Sequence, residues 1–221
     1  MSPTKPKSTP RPRRPGRPEA DGADLRQRLL DAALARFVAQ GIAATPLRDV
    51  AKAAGVTPAL VHYYFGSKDK LLAAVLQERL LPVVGEMAAA FAGSDASGDL
   101  LSRFVSGMYA VVDRHPWLPS LWVREILSEG GGLREFMLGH VAPQLPQKLA
   151  QYFAAEQKAG RLNPELDPRL TVVSLIGLTM FPLAGRPIWS RIFDAGDIDT
   201  QKMQRHTLAL LRQGLENHDA T

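Results

Sequence analysis

The chain has 221 residues, 45% hydrophobic and 22% charged, with no cysteine and a net charge of +5. That is enough apolar material for a packed core in one or two domains, and the missing cysteines exclude both a disulfide framework and thiolate chemistry. Six positive charges (Lys5, Lys7, Arg11, Arg13, Arg14 and Arg17) fall without an acid in the first eighteen residues, so the rest of the chain is nearly neutral.

The opening segment, MSPTKPKSTPRPRRPGRP, holds six prolines and nothing to bury. Residues 1–22 therefore read as a disordered, basic, proline-rich arm. Such an arm can be a solvated leader, or it can lie along nucleic acid and neutralise phosphates. It contains no apolar stretch of the kind a secretory signal requires, so a cytoplasmic location is expected.

From Asp24 to Gln40 the pattern is helical. Leu25, Leu29, Leu30, Ala33, Leu34, Phe37 and Val38 recur at three- and four-residue spacing, and Gly41 supplies the stop. Thr45-Pro46 and Thr57-Pro58 each offer an N-cap hydroxyl and a proline at the first helical position. Between them LRDVAKAAGV predicts a short helix stopped by Gly55. Residues 45–65 thus encode helix, glycine turn, helix, the layout in which the second helix enters the major groove.

In that second helix Val61 and Phe65 share one side, while Pro58, Ala59, His62 and Tyr63 share another and Tyr64 lies at the flank. Small residues at the start permit close approach, and the His62 and Tyr63 rings can reach base edges. Arg48, in the first turn of the preceding helix, suits bidentate recognition of guanine. The helix starts at Thr45 and Ser67, with Lys68, can hold phosphates. Each of these residues alone could equally be an ordinary surface side chain.

The run TPLRDVAKAAGVTPALVHYYFGSKDKLL resembles the DNA-binding domain of TetR-family transcriptional regulators, over about Leu25 to Leu76. The resemblance implies an all-α homodimeric repressor with a three-helix DNA-binding domain (residues 23–68) and a larger helical domain (residues 69–221) for ligand binding and dimerisation. By position, Arg48, Thr57, Pro58, Ala59, His62 and Tyr63 fall where that family touches bases or neighbouring phosphates. Thr45, Tyr64 and Lys68 fall where it grips the backbone. The family often has glycine at the position of Ala59 and tyrosine at that of His62, so this chain's operator preference is its own.

Beyond Ser67 a leucine-rich helix runs to Pro82, which is expected to kink or break it. Residues 93–99 read as a loop, and further helices are expected near 99–114, 119–128, 133–158, 167–183 and 200–217. The stretch Leu170–Leu183 is too short to span a bilayer and reads as a buried core helix, so no membrane partner is expected. Phe104, Met108, Trp117, Trp122, Phe136, Met137, Phe153 and Met180 permit an apolar pocket for a small effector. Arg124, Glu125 and His140 could supply its polar contacts, though the first two read more naturally as a solvated helix face. The last two helices are expected to pair with those of a second copy as a four-helix bundle.

Enzyme motifs are missing. There is no G-x-S-x-G, P-loop, G-x-G-x-x-G or H-E-x-x-H, and the acidic run at 194–199 has Arg205 where a calcium loop needs glutamate. No cofactor or metal is expected. Two functions remain in view: a ligand-responsive dimeric repressor on a palindromic operator, and a dimeric DNA-binding regulator or architectural protein without an inducer.

Overall fold

The computed structural model describes residues 19–91, 100–143 and 145–215, and every regular element among them is helical. Three helices come first: α1 (Glu19–Gln40), α2 (Leu47–Ala53) and α3 (Pro58–Phe65). α1 already runs at residues 19–22, which were expected to belong to the arm; residues 1–18, the rest of that expectation, lie outside the described residues. Gly41, at φ 90°, ends α1 in the left-handed conformation that glycine adopts without strain.

α4 (Lys68–Val75) opens on Ser67, whose hydroxyl accepts the Lys70 N–H at 3.3 Å. It does not break at Pro82. A π turn (Leu76–Leu80) widens the helix so that the Leu81 N–H reaches back to Leu76, and α5 (Leu81–Phe91) follows without interruption. The wider turn relieves the clash a proline ring makes with the preceding turn of a regular α-helix.

α6 (Leu100–Arg114) and α7 (Leu118–Trp122) come next, and α7 passes into a second π turn (Val123–Leu127). The helix expected over 133–158 is three pieces: α8 (Arg134–Phe136), a π turn (Met137–Val141) and, past Pro143, α9 (Pro146–Lys158). The predicted loop at 93–99 lies outside the described residues. α10 (Pro168–Ile192) is capped by the Asp167 carboxylate and continues through Pro182 and Pro187 well beyond the expected end. The Leu178 carbonyl, left without a helical donor by Pro182, lies 3.5 Å from the Thr207 hydroxyl of α11 (Thr200–Leu215).

Two cores hold these helices. Leu29, Leu30, Ala33, Val50, Val61 and Leu71 have no exposed surface and define the first, in α1–α4. Fully burying one such aliphatic side chain stabilises by about 1.5–3 kcal/mol. This core does not stop at residue 68: Leu80, Leu121 and Leu133 complete it, and Trp117, Ile126 and Phe136 pack against it. The second core gathers Phe104, Val105, Met108, Leu149, Phe153, Leu175 and Met203 from α6, α9, α10 and α11. Within it the Tyr109 hydroxyl lies 3.1 Å from Thr207 Oγ1, and burial pushes the phenol's pKa up.

α10 is not the buried core helix expected. Its 25 residues are long and apolar enough to cross a membrane by length and composition alone. One side, with Val172, Leu175 and Met180, packs into the second core, while Leu170, Val173, Phe181 and Ile188 are each more than 60% exposed.

Candidate nucleic-acid interface and effector-domain cavity

The helix-turn-helix is built by its turn. The chain leaves α2 through Gly55, at φ 69°, while the Val56 N–H returns to the Ala51 carbonyl at 2.9 Å. Thr57 then enters α3 in extended conformation and Pro58 takes the first helical position. Val61 and Phe65 turn inward, and Pro58, Ala59, His62 and Tyr63 are left exposed together on the outer side. Tyr63 is 81% exposed, and its ring stands edge-on to Tyr64 at 5.4 Å between centroids.

The remaining site residues divide by what they touch. Arg48 projects from α2 with 81% of its side chain exposed and Asp49 3.6 Å away. The Thr57 hydroxyl makes no capping bond and faces solvent. His62 Nδ1 is 2.9 Å from the Gly66 carbonyl, which orients the ring at the end of α3. Tyr64 is half-buried and its hydroxyl donates to the Gly22 carbonyl at 3.2 Å, fastening α3 to the start of α1. Lys68 Nζ donates to the Ala43 carbonyl at 2.9 Å, so this cation is tied to the loop before α2.

Thr45 departs from expectation. α2 has Pro46 at its N-cap position with no side-chain cap, and Thr45 is buried, its hydroxyl donating to the Gly41 carbonyl at 2.6 Å. It fixes the turn after α1 from inside and offers no hydroxyl to DNA. Lys70 went unnoticed in the sequence; it is exposed, and its ammonium lies beside Gly66 at the end of α3. The signal was present in the spacing of the two lysines in SKDK.

In the second core a cavity of about 50 Å³ is lined by Phe104, Met108, Trp122, Met137 and Met180, with Met87, Leu149 and Ile176. Five of the eight expected pocket residues meet there. Trp117 and Phe136 instead pack on the first core, and Phe153 is buried among its neighbours without reaching the cavity. The polar contacts expected of Arg124, Glu125 and His140 are also absent: His140 stacks on Phe136 at 4.9 Å, and Arg124 and Glu125 bond to the α1–α2 corner. A larger opening of about 400 Å³, not foreseen from the sequence, lies between α10 and α11 beside Phe181, Trp189, Lys202 and His206. Among the described residues no group of three His, Asp or Glu side chains gathers into a metal site.

An all-helical chain that displays the outer side of a helix-turn-helix at one end and carries a larger helical domain behind it has the architecture of a DNA-binding regulator. Residues 29–75 match the family model for bacterial regulatory proteins of the tetR family, and the amino-terminal domain belongs to that family. The chain is 44% identical over 64 residues to the HTH-type transcriptional regulator SrpR of Pseudomonas putida, covering 29% of this chain and 30% of that protein. It is 32% identical over 98 residues to the HTH-type transcriptional regulator BetI of Rhizobium meliloti, covering 44% and 48%. It thus spans less than half the length of these curated relatives. The fold as a whole is similar to that of the ketosteroid transcriptional regulator KstR2 of Mycobacterium tuberculosis, with a TM-score of 0.68 at 18% identity over 87% of this chain and 95% of that one.

Proposed function

We propose that this protein is a ligand-responsive transcriptional repressor that acts in the cytoplasm as a homodimer on a palindromic operator. The observation that carries the reading is the outer side of α3, where Pro58, Ala59, His62 and Tyr63 are exposed on a short helix whose opposite side, Val61, is fully buried. Burial on one side only leaves the other rigidly presented, as insertion into a major groove requires. Arg48 and Thr57 flank that surface as base or phosphate contacts, and Lys70 adds a cation at its edge. Fluorescence anisotropy on DNA from upstream of the protein's own gene, in a salt series and against scrambled duplex, tests this. Nanomolar binding that resists scrambled competitor supports it; weak, steeply salt-dependent binding to both duplexes points to charge alone.

The effector in this reading is a neutral apolar molecule held by Phe104, Met108, Trp122, Met137 and Met180. Four methionines and no charged side chain line the cavity, and flexible thioethers adapt to varied shapes. Entry favours a conformation in which the two recognition helices no longer match the operator spacing.

A specific observation favours a second reading, a dimeric DNA-binding regulator without an inducer. The cavity holds about 50 Å³, against roughly 300–1,000 Å³ for ordinary small-molecule sites. Thermal shifts across a panel of neutral apolar compounds separate the two. A rise in melting temperature supports the effector, and silence across the panel supports the second reading.

A further inference from the structure

Glu125 is only 4% exposed, yet it belongs neither to the α3 surface nor to the cavity lining. Its two carboxylate oxygens accept two backbone N–H groups, Ile42 at 3.0 Å and Gly132 at 2.9 Å. Ile42 is the first residue after the glycine that ends α1, so the bond crosses from the π turn after α7 to the entrance of the helix-turn-helix. Its neighbour Arg124 donates to the Val38 carbonyl at 2.9 Å. Consecutive residues therefore hold the corner from both sides, the cation on a carbonyl of the last turn of α1 and the anion on the first amide beyond it.

The surroundings are shaped to that carboxylate. A Cβ on Gly41 would stand 3.1 Å from Glu125 Oε1, and one on Gly132 would stand 3.3 Å from Oε2. A Cβ on Gly131 would lie 2.3 Å from the Glu125 carbonyl oxygen, closer than any side chain can approach. That same carbonyl accepts the Leu133 N–H at 3.0 Å, which closes the glycine turn. Burying a carboxylate is costly unless it is fully hydrogen-bonded, and a site needing only packing there would be filled by an apolar residue.

The corner that Glu125 holds is tied at every step. The Gly41 carbonyl accepts the Thr45 hydroxyl, the Ile42 carbonyl accepts the Thr45 N–H at 3.2 Å, and the Ala43 carbonyl accepts Lys68. The Ile42 amide is the tie that comes from farthest along the chain, 83 residues away at Glu125. We propose that Glu125 is a positioning residue for DNA recognition, pinning residues 41–45 and through them setting the pose of α2 and α3. This rests on the DNA-binding reading above.

The test compares the full chain with Glu125→Gln, in which one amide N–H is left facing an NH2 group. Hydrogen–deuterium exchange of free protein is read over residues 41–56 and over α10 and α11. Duplex affinity is read by anisotropy in the same salt series. Expected are exchange about tenfold faster at Ile42 and across α2, unchanged exchange in α10 and α11, and binding about tenfold weaker with an unchanged salt slope, since no phosphate contact is lost. Exchange over 41–56 at the wild-type rate, or faster exchange throughout the chain, overturns the assignment. Should the glutamine variant not fold, Glu125→Asp keeps both oxygens on a shorter stem and gives the same readings. If the unchanged chain shows no sequence-selective binding, the DNA reading fails and this assignment with it. The exchange at Ile42 tells that failure from a failure of the clasp.

Discussion

Tyr63 and Tyr64 are adjacent and chemically identical, yet the fold gives them opposite work. Tyr63 is 81% exposed and meets only the edge-on Tyr64 ring among the described aromatic contacts, whereas the Tyr64 hydroxyl fastens α3 to Gly22. Tyr63→Ala is therefore expected to weaken operator binding by about 1–3 kcal/mol while leaving the melting temperature nearly unchanged. Arg48→Ala should behave the same way, since its side chain is 81% exposed. Tyr64→Phe reverses the pattern, costing about 1 kcal/mol of stability for the lost hydrogen bond. Paired anisotropy and thermal melts on the three variants check these outcomes; a large stability loss in Tyr63→Ala would defeat the assignment. The helical period was enough to place Pro58, Ala59, His62 and Tyr63 on one surface, because that requires only the spacing within one helix. It could not show that Thr45 turns inward or that Lys68 reaches Ala43. Those facts depend on how the loop 41–45 folds onto α1, a contact between segments that no local pattern encodes.

At the scale of elements, α1 is joined to the π turn after α4 by a polar network rather than by packing alone. Arg26 forms a two-pronged pair with Glu78 at 2.7 and 2.6 Å and stands 5.4 Å from the Phe65 ring centre, and Arg79 reaches Asp31 at 2.7 Å. The hydrogen bonds from Arg26 hold Glu78 below the usual glutamate range. A depressed carboxylate pKa contributes stability that is fully present above the unfolded value and lost as pH falls through the folded one. The stability difference between wild type and Glu78→Gln should therefore be present at about pH 6 and fade toward about pH 3, in urea unfolding at each pH. Both side chains are about one-third exposed, so solvent screening keeps the difference below about 1 kcal/mol. A difference that grows with acid would contradict this pairing. Apolar spacing and the glycine stops at Gly41 and Gly55 made α1 to α3 legible in the sequence, whereas the threonine caps do not form and the later prolines needed the fold. Pro82, expected to kink or break its helix, is accommodated by a π turn, and Pro182, inside the expected helix 167–183, by a partner hydroxyl from α11. Accommodation of that kind depends on neighbours in space.

At the scale of the molecule, the exposed side of α10 sets the largest demand. Phe181, Ile188, Ile192 and Phe193 are each more than 65% exposed, with Leu170 and Val173 further along the same helix and Leu210 on α11. Large apolar side chains exposed along one helix to this extent fit an association surface, and in the proposed dimer two antiparallel helices from each copy would close it as a four-helix bundle. The DNA-binding reading requires the same thing, because one recognition helix reads half a palindrome and two must be held about 34–36 Å apart, one turn of duplex. Phe181→Asp combined with Ile188→Asp is expected to convert the proposed dimer to a monomer in sedimentation velocity without changing helical content, since both side chains face solvent in the single chain. Loss of the second recognition helix removes the effective concentration that links the half-sites, so operator affinity should fall by roughly a hundredfold or more. Inserting about half a helical turn between the half-sites should weaken the unaltered dimer comparably, by turning one half-site away from its helix. If the double variant stays dimeric, association uses another surface; if it becomes monomeric yet binds the operator as tightly as before, each chain reads its site alone and the palindrome is not the recognised unit.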